Sequence, residues 1–381
     1  MSLIRNEKPG LRGRDAAIRE PRAEPRDIFR EAPACPAAPT AAGTAPATGT
    51  EAVAEQMRVT LLATVLNEAE SLAGFLNALL SQTRPPDEII LTDGGSTDGS
   101  LEIIRKVLDA GAPLEVIVAA GANIARGRNL AIRQARGDII ASTDAGCRVD
   151  PRWLEELTAP FQDPLVHVVG GSSLAEARTR REKSFGIIFL DDPRRVDPNT
   201  FGPSSRSVAF RKPVWENAGG YPEELYSAED TVFNQRMRHA GARFVFRPQA
   251  VVRWLPPRSL GSAARKFFSY GRGDGRAGLS GSLYRRILLK AVLVLGLAVA
   301  GFVSGLFSVL LLLSFPAYYL RTILVNRHRG SLAVNSLVFL HRLPLDGARF
   351  VGYLCGRLDR MRDPKFRRLV PAGGRGAAGR G

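Results

Sequence analysis

Between residues 58 and 161, short apolar runs alternate with helix-like stretches, and this alternation restricts the fold more than any other feature. The runs at 59–66, 88–92, 114–118 and 138–143 have the length and composition of buried strands. A helix-like pattern follows each of them, the last one reaching Phe161, and a further strand-like run occurs at 243–246. Strands that alternate with helices in this way form right-handed βαβ units around a parallel sheet. We therefore expect an α/β fold of the Rossmann type, with helices on both faces of a mostly parallel sheet.

Two aspartates come directly after strands of this predicted sheet. Asp93 follows the second strand and Asp144 follows the fourth. Ligands of such sheets bind beyond the carboxyl ends of the strands, so we expect both carboxylates at one edge. Asp93 opens the sequence D-G-G-S-T-D-G-S, whose glycines let a ligand approach the backbone. The loop lacks both G-K-[ST] and G-x-G-x-x-G, which disfavours a Walker-type nucleotide site and a hydride-transfer cofactor.

Three acids are candidates for chemistry at this edge. Asp144 could hold a divalent cation that bridges to a diphosphate, with helix capping as the alternative, although Asp150 is better placed to cap. Glu229 and Asp230 begin a predicted helix, 229–239. Adjacent acids at a helix start are commonly partners of the helix dipole, and the functional alternative is that one of them is a general base.

From Arg58 to Pro257 the chain resembles the family 2 glycosyltransferases, whose catalytic domain has the GT-A fold. The resemblance rests on five motifs that occur in the family's order. They are Thr64-Val65-Leu66-Asn67-Glu68, Asp93 in a D-x-x-S-x-D-G-[ST] loop, Arg126-Gly127-Arg128-Asn129, Asp144, and Gly219-Gly220-Tyr221-Pro222-Glu223 followed by Glu229-Asp230.

The resemblance implies a site for a nucleotide-sugar donor and a role for each matching residue. It implies an inverting displacement in which Asp230 takes the proton of the acceptor hydroxyl and Glu229 orients the acceptor. It also implies Mg²⁺ or Mn²⁺ at Asp144. The residues expected to bind the nucleotide sugar are Thr64, Asn67, Glu68, Asp93, Arg128 at the diphosphate, and Asp144.

Two departures from the family pattern affect these expectations. Gly146 stands where the second acid of the metal-binding D-x-D motif is expected, so one direct metal ligand is missing. The Q-x-x-R-W motif of processive synthases is also missing, and Tyr270 to Gly275 occupies the comparable region. We therefore expect transfer of one sugar at a time. Two alternatives remain: a catalytically silent nucleotide-sugar-binding module, and a nucleotidyltransferase, for which the Asn67-Glu68 turn lacks a basic phosphate-binding loop.

The C-terminal third combines an apolar segment with nearly all the excess positive charge. From Arg258 onward there are 21 Lys and Arg against four Asp and Glu, while the preceding residues contain 32 against 33. Ala291 to Leu320 has no charged residue and basic flanks, which predicts a membrane segment with both ends cytoplasmic. A hairpin that turns near Gly301 to Gly305 is slightly favoured over one tilted span. Anionic lipids are the expected partners of the basic charge, in preference to nucleic acid.

These patterns divide the chain into five predicted segments. They are a disordered arm at 1–57, a catalytic domain at 58–257, a basic amphipathic connector at 258–285, a transmembrane segment at 286–325, and a basic interfacial helix with a disordered tail at 326–381. The start of the chain lacks the pattern of a signal peptide, and Cys35, Cys147 and Cys355 form no disulfide framework. We expect a catalytic domain at the cytoplasmic face of a bacterial-type inner membrane, acting on a lipid-linked or otherwise amphiphilic acceptor.

Overall fold

The computed structural model describes residues 57–369 and the two-residue strand Ile18–Arg19. The arm predicted at 1–57 lies outside the described residues, apart from Ile18–Arg19 and Met57. The tail at 370–381 also lies outside them.

The strands occur where the alternation of the sequence predicts them, and more follow after residue 166. In chain order they are β1 (Ile18–Arg19), β2 (Val59–Val65), β3 (Glu88–Asp93), β4 (Leu114–Val118), β5 (Ile139–Asp144), β6 (Cys147–Val149), β7 (Val168–Ala175), β8 (Val208–Arg211) and β9 (Phe244–Trp254).

The helices lie on both faces of this sheet and then continue without strands to the end of the described chain. They are α1 (Ala69–Leu80), α2 (Ser100–Asp109), α3 (Ile124–Gln134), α4 (Trp153–Thr158), α5 (Arg180–Phe189), α6 (Lys212–Asn217), α7 (Glu229–His239), α8 (Leu260–Ala277), α9 (Gly281–Gly301), α10 (Gly305–Asn326) and α11 (Leu332–Arg362). Short 3-10 helices cover Ala159–Gln162, Pro193–Arg195 and Pro364–Arg368.

The sheet has the order β1-β4-β3-β2-β5-β8-β7-β9-β6. Strands β2 to β5 pair in parallel, as predicted, and β1, which was not predicted, pairs in parallel with β4. Strand β8 pairs antiparallel with both β5 and β7. In the register of the parallel pairs Asp93 lies opposite Val65, and Asp144 lies opposite Thr64. The expectation that the two aspartates meet at one sheet edge is therefore confirmed by the pairing.

The parallel strands are buried on both faces, so successive residues contribute to different halves of the core. Leu61 and Leu91 pack on one face, while Leu62 and Ile90 pack on the other. All four side chains are fully buried. Burial on both faces explains why these strands read as continuous apolar runs rather than as alternating ones.

The predicted boundaries differ from the structure at two places. The helix predicted to reach Phe161 ends as an α-helix at Thr158 and continues as a 3-10 turn, because Pro160 cannot donate a backbone hydrogen bond. The strand predicted at 243–246 is the first part of the longer β9, in which Pro248 interrupts the apolar pattern.

Helices α8 and α11 pack unusually closely through glycines spaced four residues apart. These are Gly271 and Gly275 on α8 and Gly352 and Gly356 on α11. A Cβ added to Gly271, Gly352 or Gly356 would lie 2.9 Å from a carbonyl carbon of the facing helix. Because no side chain separates the backbones, small residues of this spacing allow two helices to approach one another. The connector predicted at 258–285 is thus mostly one helix, docked on α11.

Residues 286–325 form parts of two helices rather than one. Helices α9 and α10 are separated by Phe302–Ser304 and contact each other. Of the described helices, only α10 is long and apolar enough to cross a membrane. The uncharged part of α9, from Ala291 to Gly301, would extend about 16 Å at 1.5 Å per residue.

Candidate active site

Two adjacent cavities open at the sheet edge that carries Asp93 and Asp144. The smaller has a volume of about 290 Å³ and is lined by the ends of β2, β3 and β5 together with α3. The larger, of about 660 Å³, lies between the start of α7, the loop before β8, and helix α8. Four residues line both cavities and so form the junction between them: Ile124, Asp144, Tyr226 and Lys266.

Asp93 is the last residue of β3. One of its carboxylate oxygens accepts hydrogen bonds, and the other has no partner among the described residues. Its Oδ2 accepts hydrogen bonds from the amides of Gly95 (2.9 Å) and Ser96 (3.0 Å). Its Oδ1 is buried and has no hydrogen-bond partner. A buried carboxylate oxygen without a donor is unfavourable, so the site is suited to a ligand that supplies an N–H or O–H group.

The predicted nucleotide-binding residues divide into two groups. Thr64 and Glu68 line the smaller cavity, as expected of residues that follow β2. Asn67 lies outside the lining of both cavities and has a left-handed backbone, with φ of 56°. Its Oδ1 accepts a hydrogen bond from the amide of Thr97 at 2.9 Å. Asn67 thus positions the loop that follows Asp93.

Arg128 bridges two of the predicted acids instead of extending into open space. It is 1% exposed. One terminal nitrogen donates to Asp144 Oδ1 at 2.6 Å and the other to Glu229 Oε1 at 3.0 Å. The guanidinium also lies 5.4 Å from the ring centroid of Tyr221. These contacts fix Asp144 and Glu229 relative to one another across the junction of the cavities.

Glu229 and Asp230 are adjacent in sequence but have different environments. Glu229 is 8% exposed, and its burial, followed by the charge of Asp230, raises the pKa of its carboxyl above the ordinary value. Asp230 is half-buried and lines the larger cavity. Its Oδ1 accepts a hydrogen bond from the amide of Thr231 at 2.7 Å. Glu229 is therefore held by Arg128, whereas Asp230 faces the space that a second substrate would occupy.

The turn before α7 sets the orientation of the Glu229 and Asp230 side chains. Ala228 has a φ of 66°, which is uncommon for a residue with a side chain. The preceding Ser227 donates a hydrogen bond from its hydroxyl to the carbonyl of Ser269 on α8, at 2.7 Å. A Cβ added to Gly273 would lie 2.7 Å from the carbonyl carbon of Ser227. Helix α8 therefore supports the turn directly.

The Gly219–Glu223 motif is held in place by Asn129, the residue after Arg128. The Asn129 amide donates to the carbonyl of Tyr221 at 2.9 Å and to the carboxylate of Glu223 at 2.8 Å. Its Oδ1 accepts from the amide of Tyr221 at 3.0 Å. Both Gly219 and Gly220 have positive φ values. This motif therefore has a structural role that connects α3 to the loop beneath Arg128.

The place of the missing second acid is partly filled by Glu68. A Cβ on Gly146 would lie 3.3 Å from Glu68 Oε1. Burial is the main cause that raises the pKa of Glu68, and the charge of Asp144 also contributes. Within residues 57–369, no cluster of three or more His, Cys, Asp or Glu side chains is arranged to hold a metal. Asp144 and Glu68 are the two carboxylates that line the smaller cavity.

Several residues of the site were not predicted from the sequence. Lys266 on α8 lines both cavities, and Arg206, Asp274 and Arg349 line the larger one. Trp254, at the end of β9, lines the smaller one. Lys266 and Arg349 lie in a segment rich in Lys and Arg, so nothing in the sequence distinguishes them from basic residues at the surface.

Comparisons with known proteins agree with this geometry. Residues 60–217 match the family described as "Glycosyl transferase family 2". Glycosyltransferase AglE of Haloferax volcanii is 29% identical over 247 residues, which covers 63% of this chain and 79% of that protein. The O-antigen chain rhamnosyltransferase RfbN of Salmonella typhimurium is 27% identical over 209 residues, covering 52% and 66%.

A solved structure shows a similar fold. It is the mannosyltransferase PcManGT from Pyrobaculum calidifontis, in complex with GDP-Man and Mn²⁺, with a TM-score of 0.56 and 20% identity. The match covers 79% of this chain and 88% of that one, so it extends beyond the catalytic domain into the C-terminal helices.

The sheet order and the similarity to PcManGT define a domain with the GT-A fold. The family match over residues 60–217 and the glycosyltransferase relatives make the assignment more specific. Residues 60–217 form a glycosyltransferase family 2 domain, in agreement with the resemblance of the motifs.

Proposed function

We propose that this enzyme transfers a single sugar from a nucleoside-diphosphate sugar to a hydroxyl of a membrane-associated acceptor, with inversion at the anomeric carbon and Asp230 as the general base. The position of Asp230 carries the proposal. It lies in the larger cavity, next to the junction at which Arg128 holds Asp144 and Glu229.

The two cavities correspond to the two substrates of this reaction. The smaller one is lined by Thr92 and Gly94, the chain neighbours of Asp93, whose Oδ1 is buried and unpaired among the described residues, and we assign the nucleoside to it. The larger one is left for the sugar and the acceptor. An acceptor hydroxyl is a poor nucleophile until a base accepts its proton. Of the acids that line this cavity, Asp144 and Glu229 are paired with Arg128 and Asp274 is paired with Arg349, whereas Asp230 forms no ion pair among the described residues. Glu229, held by Arg128, orients the acceptor side of the site.

The donor set at the junction fits a divalent cation that is shared between protein and nucleotide. Asp144 and Glu68 would hold it, since both carboxylates line the smaller cavity and oxygen ligands suit Mg²⁺ and Mn²⁺. Such a cation supplies positive charge to the diphosphate that departs. Two protein carboxylates leave the remaining coordination positions to phosphate oxygens and water.

The acceptor is proposed to be amphiphilic, and the relatives and the location of the cavity support this. Helix α8 and Arg349 of α11 line the larger cavity. In the chain, α8 leads into the apolar α9, and α11 follows the apolar α10. RfbN is an O-antigen chain rhamnosyltransferase, and a further relative, ExoA of Rhizobium meliloti, is a succinoglycan biosynthesis protein. A lipid-linked carrier, a glycolipid or a growing cell-envelope polysaccharide fits such a site.

Helices α9 and α10 are proposed to enter the membrane from its cytoplasmic face and to return to the same face. Phe302 and Val303, at the turn, are 93% and 87% exposed. Their amides donate to the carbonyls of Val299 and Ala300, so the turn has satisfied backbone donors, as hydrocarbon requires. The basic residues that flank the apolar segment lie at the open end of this helix pair, where anionic head groups would meet them.

The direct test is incubation of membranes that contain the enzyme with a panel of radiolabelled nucleotide sugars. Transfer of label to lipid or polysaccharide, dependent on the enzyme, is the expected result. Release of pyrophosphate without sugar transfer would indicate a nucleotidyltransferase. Nucleotide-sugar binding without any product in the presence of native membrane lipids would indicate a silent binding module.

A further inference from the structure

Two cations from different parts of the chain approach one aromatic ring at the junction of the cavities. The guanidinium carbon of Arg206 lies 5.3 Å from the ring centroid of Trp254, and the ammonium nitrogen of Lys266 lies 5.2 Å from it. Arg206 belongs to the loop before β8, Lys266 to α8, and Trp254 ends β9. Cations within about 6 Å of an indole face are attracted by its electron density. The ring thus holds two like charges close together.

Neither of these cations has a carboxylate partner. Arg128 and Arg349, which also line the larger cavity, each form an ion pair with a buried acid. Within residues 57–369, Arg206 and Lys266 form no such ion pair, and Arg206 donates from Nε to the hydroxyl of Ser204 at 3.2 Å. The pair therefore differs from Arg128 and Arg349 in forming no direct ion pair, although the charge of Asp144 acts on both of its members.

The surroundings of the pair favour the arrival of an anion. Desolvation, followed by the charge of Arg206, lowers the pKa of Lys266. Two cations that approach one ring without a directly bonded carboxylate repel each other, and an anion with several oxygens relieves the repulsion and accepts their hydrogen bonds. Lys266 lines both cavities and Arg206 lines the larger one, so the anion would sit at the junction, where a donor's diphosphate connects nucleoside to sugar.

We propose that Arg206 and Lys266, positioned on Trp254, bind the diphosphate of the nucleotide-sugar donor. This inference rests on the proposed function. It gives the pair a role that the sequence assigned to Arg128, whose two terminal nitrogens are occupied by Asp144 and Glu229.

The pair also supplies positive charge to the diphosphate, which matters because Gly146 stands where an acidic metal ligand is expected. With one fewer carboxylate in the D-x-D position, less of the diphosphate charge is balanced through a metal held by that motif. Fixed cations beside the leaving group stabilise the charge that develops on it. We therefore expect nucleoside-diphosphate binding to retain a part that is independent of metal.

The test compares Arg206→Gln and Lys266→Met with Arg265→Gln, a control at the neighbouring basic residue of α8 that lines neither cavity. Calorimetry with the full chain in detergent measures binding of UDP, GDP, dTDP and their nucleosides, in chelator and with Mn²⁺. Loss of one hydrogen bond to a charged group corresponds to roughly a 10- to 100-fold loss of affinity. We expect that loss for the nucleoside diphosphate in chelator, unchanged nucleoside affinity, and no change in Arg265→Gln.

Two further probes separate the possible sources of the phosphate. Inorganic pyrophosphate tests the pair without a base, and phosphatidylcholine vesicles that carry a polyprenyl phosphate test an acceptor phosphate. Unchanged affinity for nucleoside diphosphate and pyrophosphate would overturn the inference, as would a loss confined to the vesicles. If wild-type enzyme bound none of the nucleotides, the proposed function would fail. Pyrophosphate affinity that depends on Arg206 and Lys266 would still support their role as a diphosphate site.

Discussion

Replacing Gly273 with alanine should reduce turnover although this residue lies outside the cavities. Its added Cβ would lie 2.7 Å from the carbonyl carbon of Ser227, whereas ordinary contacts begin near 3.4 Å. Relief of this overlap requires a shift of about 1 Å in either α8 or the turn that precedes Glu229 and Asp230. Misplacement of a catalytic group by about 1 Å lowers turnover by roughly 100-fold. The overpacking itself should destabilise the fold by about 1 to 3 kcal/mol.

The assay measures kcat and donor KM together with thermal unfolding. Gly261→Ala is the matched control, because it lies on the same helix and its Cβ would meet no atom within 4 Å. Gly271→Ala is a second comparison, since its Cβ would meet Arg349 of α11 instead of the turn. We expect Gly273→Ala to lose more kcat per degree of lost Tm than Gly271→Ala does. Equal losses at equal Tm, or near-normal kcat in Gly273→Ala, would refute the role given to the turn.

Three further predictions concern the donor, the metal and the membrane. Asp93→Asn should raise donor KM by roughly 10-fold or more and change kcat little, because it alters a buried, unpaired oxygen next to the cavity in which the nucleoside is proposed to bind. Steady-state kinetics at varied donor concentration measure this. Chelator should abolish most activity, and Mn²⁺ or Mg²⁺ should restore it. Glu68→Gln should weaken Mn²⁺ binding in the presence of nucleotide, measured by electron paramagnetic resonance, whereas unchanged Mn²⁺ affinity would exclude Glu68 as a ligand. Replacing Phe302 and Val303 together with aspartate should reduce co-sedimentation with anionic vesicles at unchanged Tm, and undiminished binding would remove the membrane role of the turn.

Much of the fold follows from the sequence because its main signals are local. The parallel strands are buried on both faces, so their apolar runs mark them directly, and their order puts Asp93 and Asp144 at one edge. Strands β7 and β8 lack this signal. Strand β7 contains glycine and serine, β8 has only four residues, and the two pair antiparallel although they are distant in sequence. The break between α9 and α10 lies at Phe302–Ser304, within the region 301–305 where the sequence predicts a hairpin turn.

The candidate site follows from the sequence only in part, for the same reason. Motifs identify Asp93, Asp144 and Asp230, since these follow strands or begin a helix. They do not show which partner a charged side chain takes. Arg128 was expected at the diphosphate, but it is buried between two acids, and Lys266 comes from a helix about 140 residues later. Such pairings depend on how α8 docks on the catalytic domain, which no local pattern records.

The measurement that tests the central claim most directly compares kcat for sugar transfer in wild-type enzyme, Asp230→Asn and Asp93→Asn. The assay uses a labelled donor at saturating concentration and the native membrane acceptor. If Asp230 is the general base, Asp230→Asn should lower kcat by roughly 10²- to 10⁴-fold and leave donor affinity nearly unchanged. Near-normal turnover in Asp230→Asn, together with abolished turnover in Asp93→Asn at saturating donor, would contradict the division of roles between the two cavities.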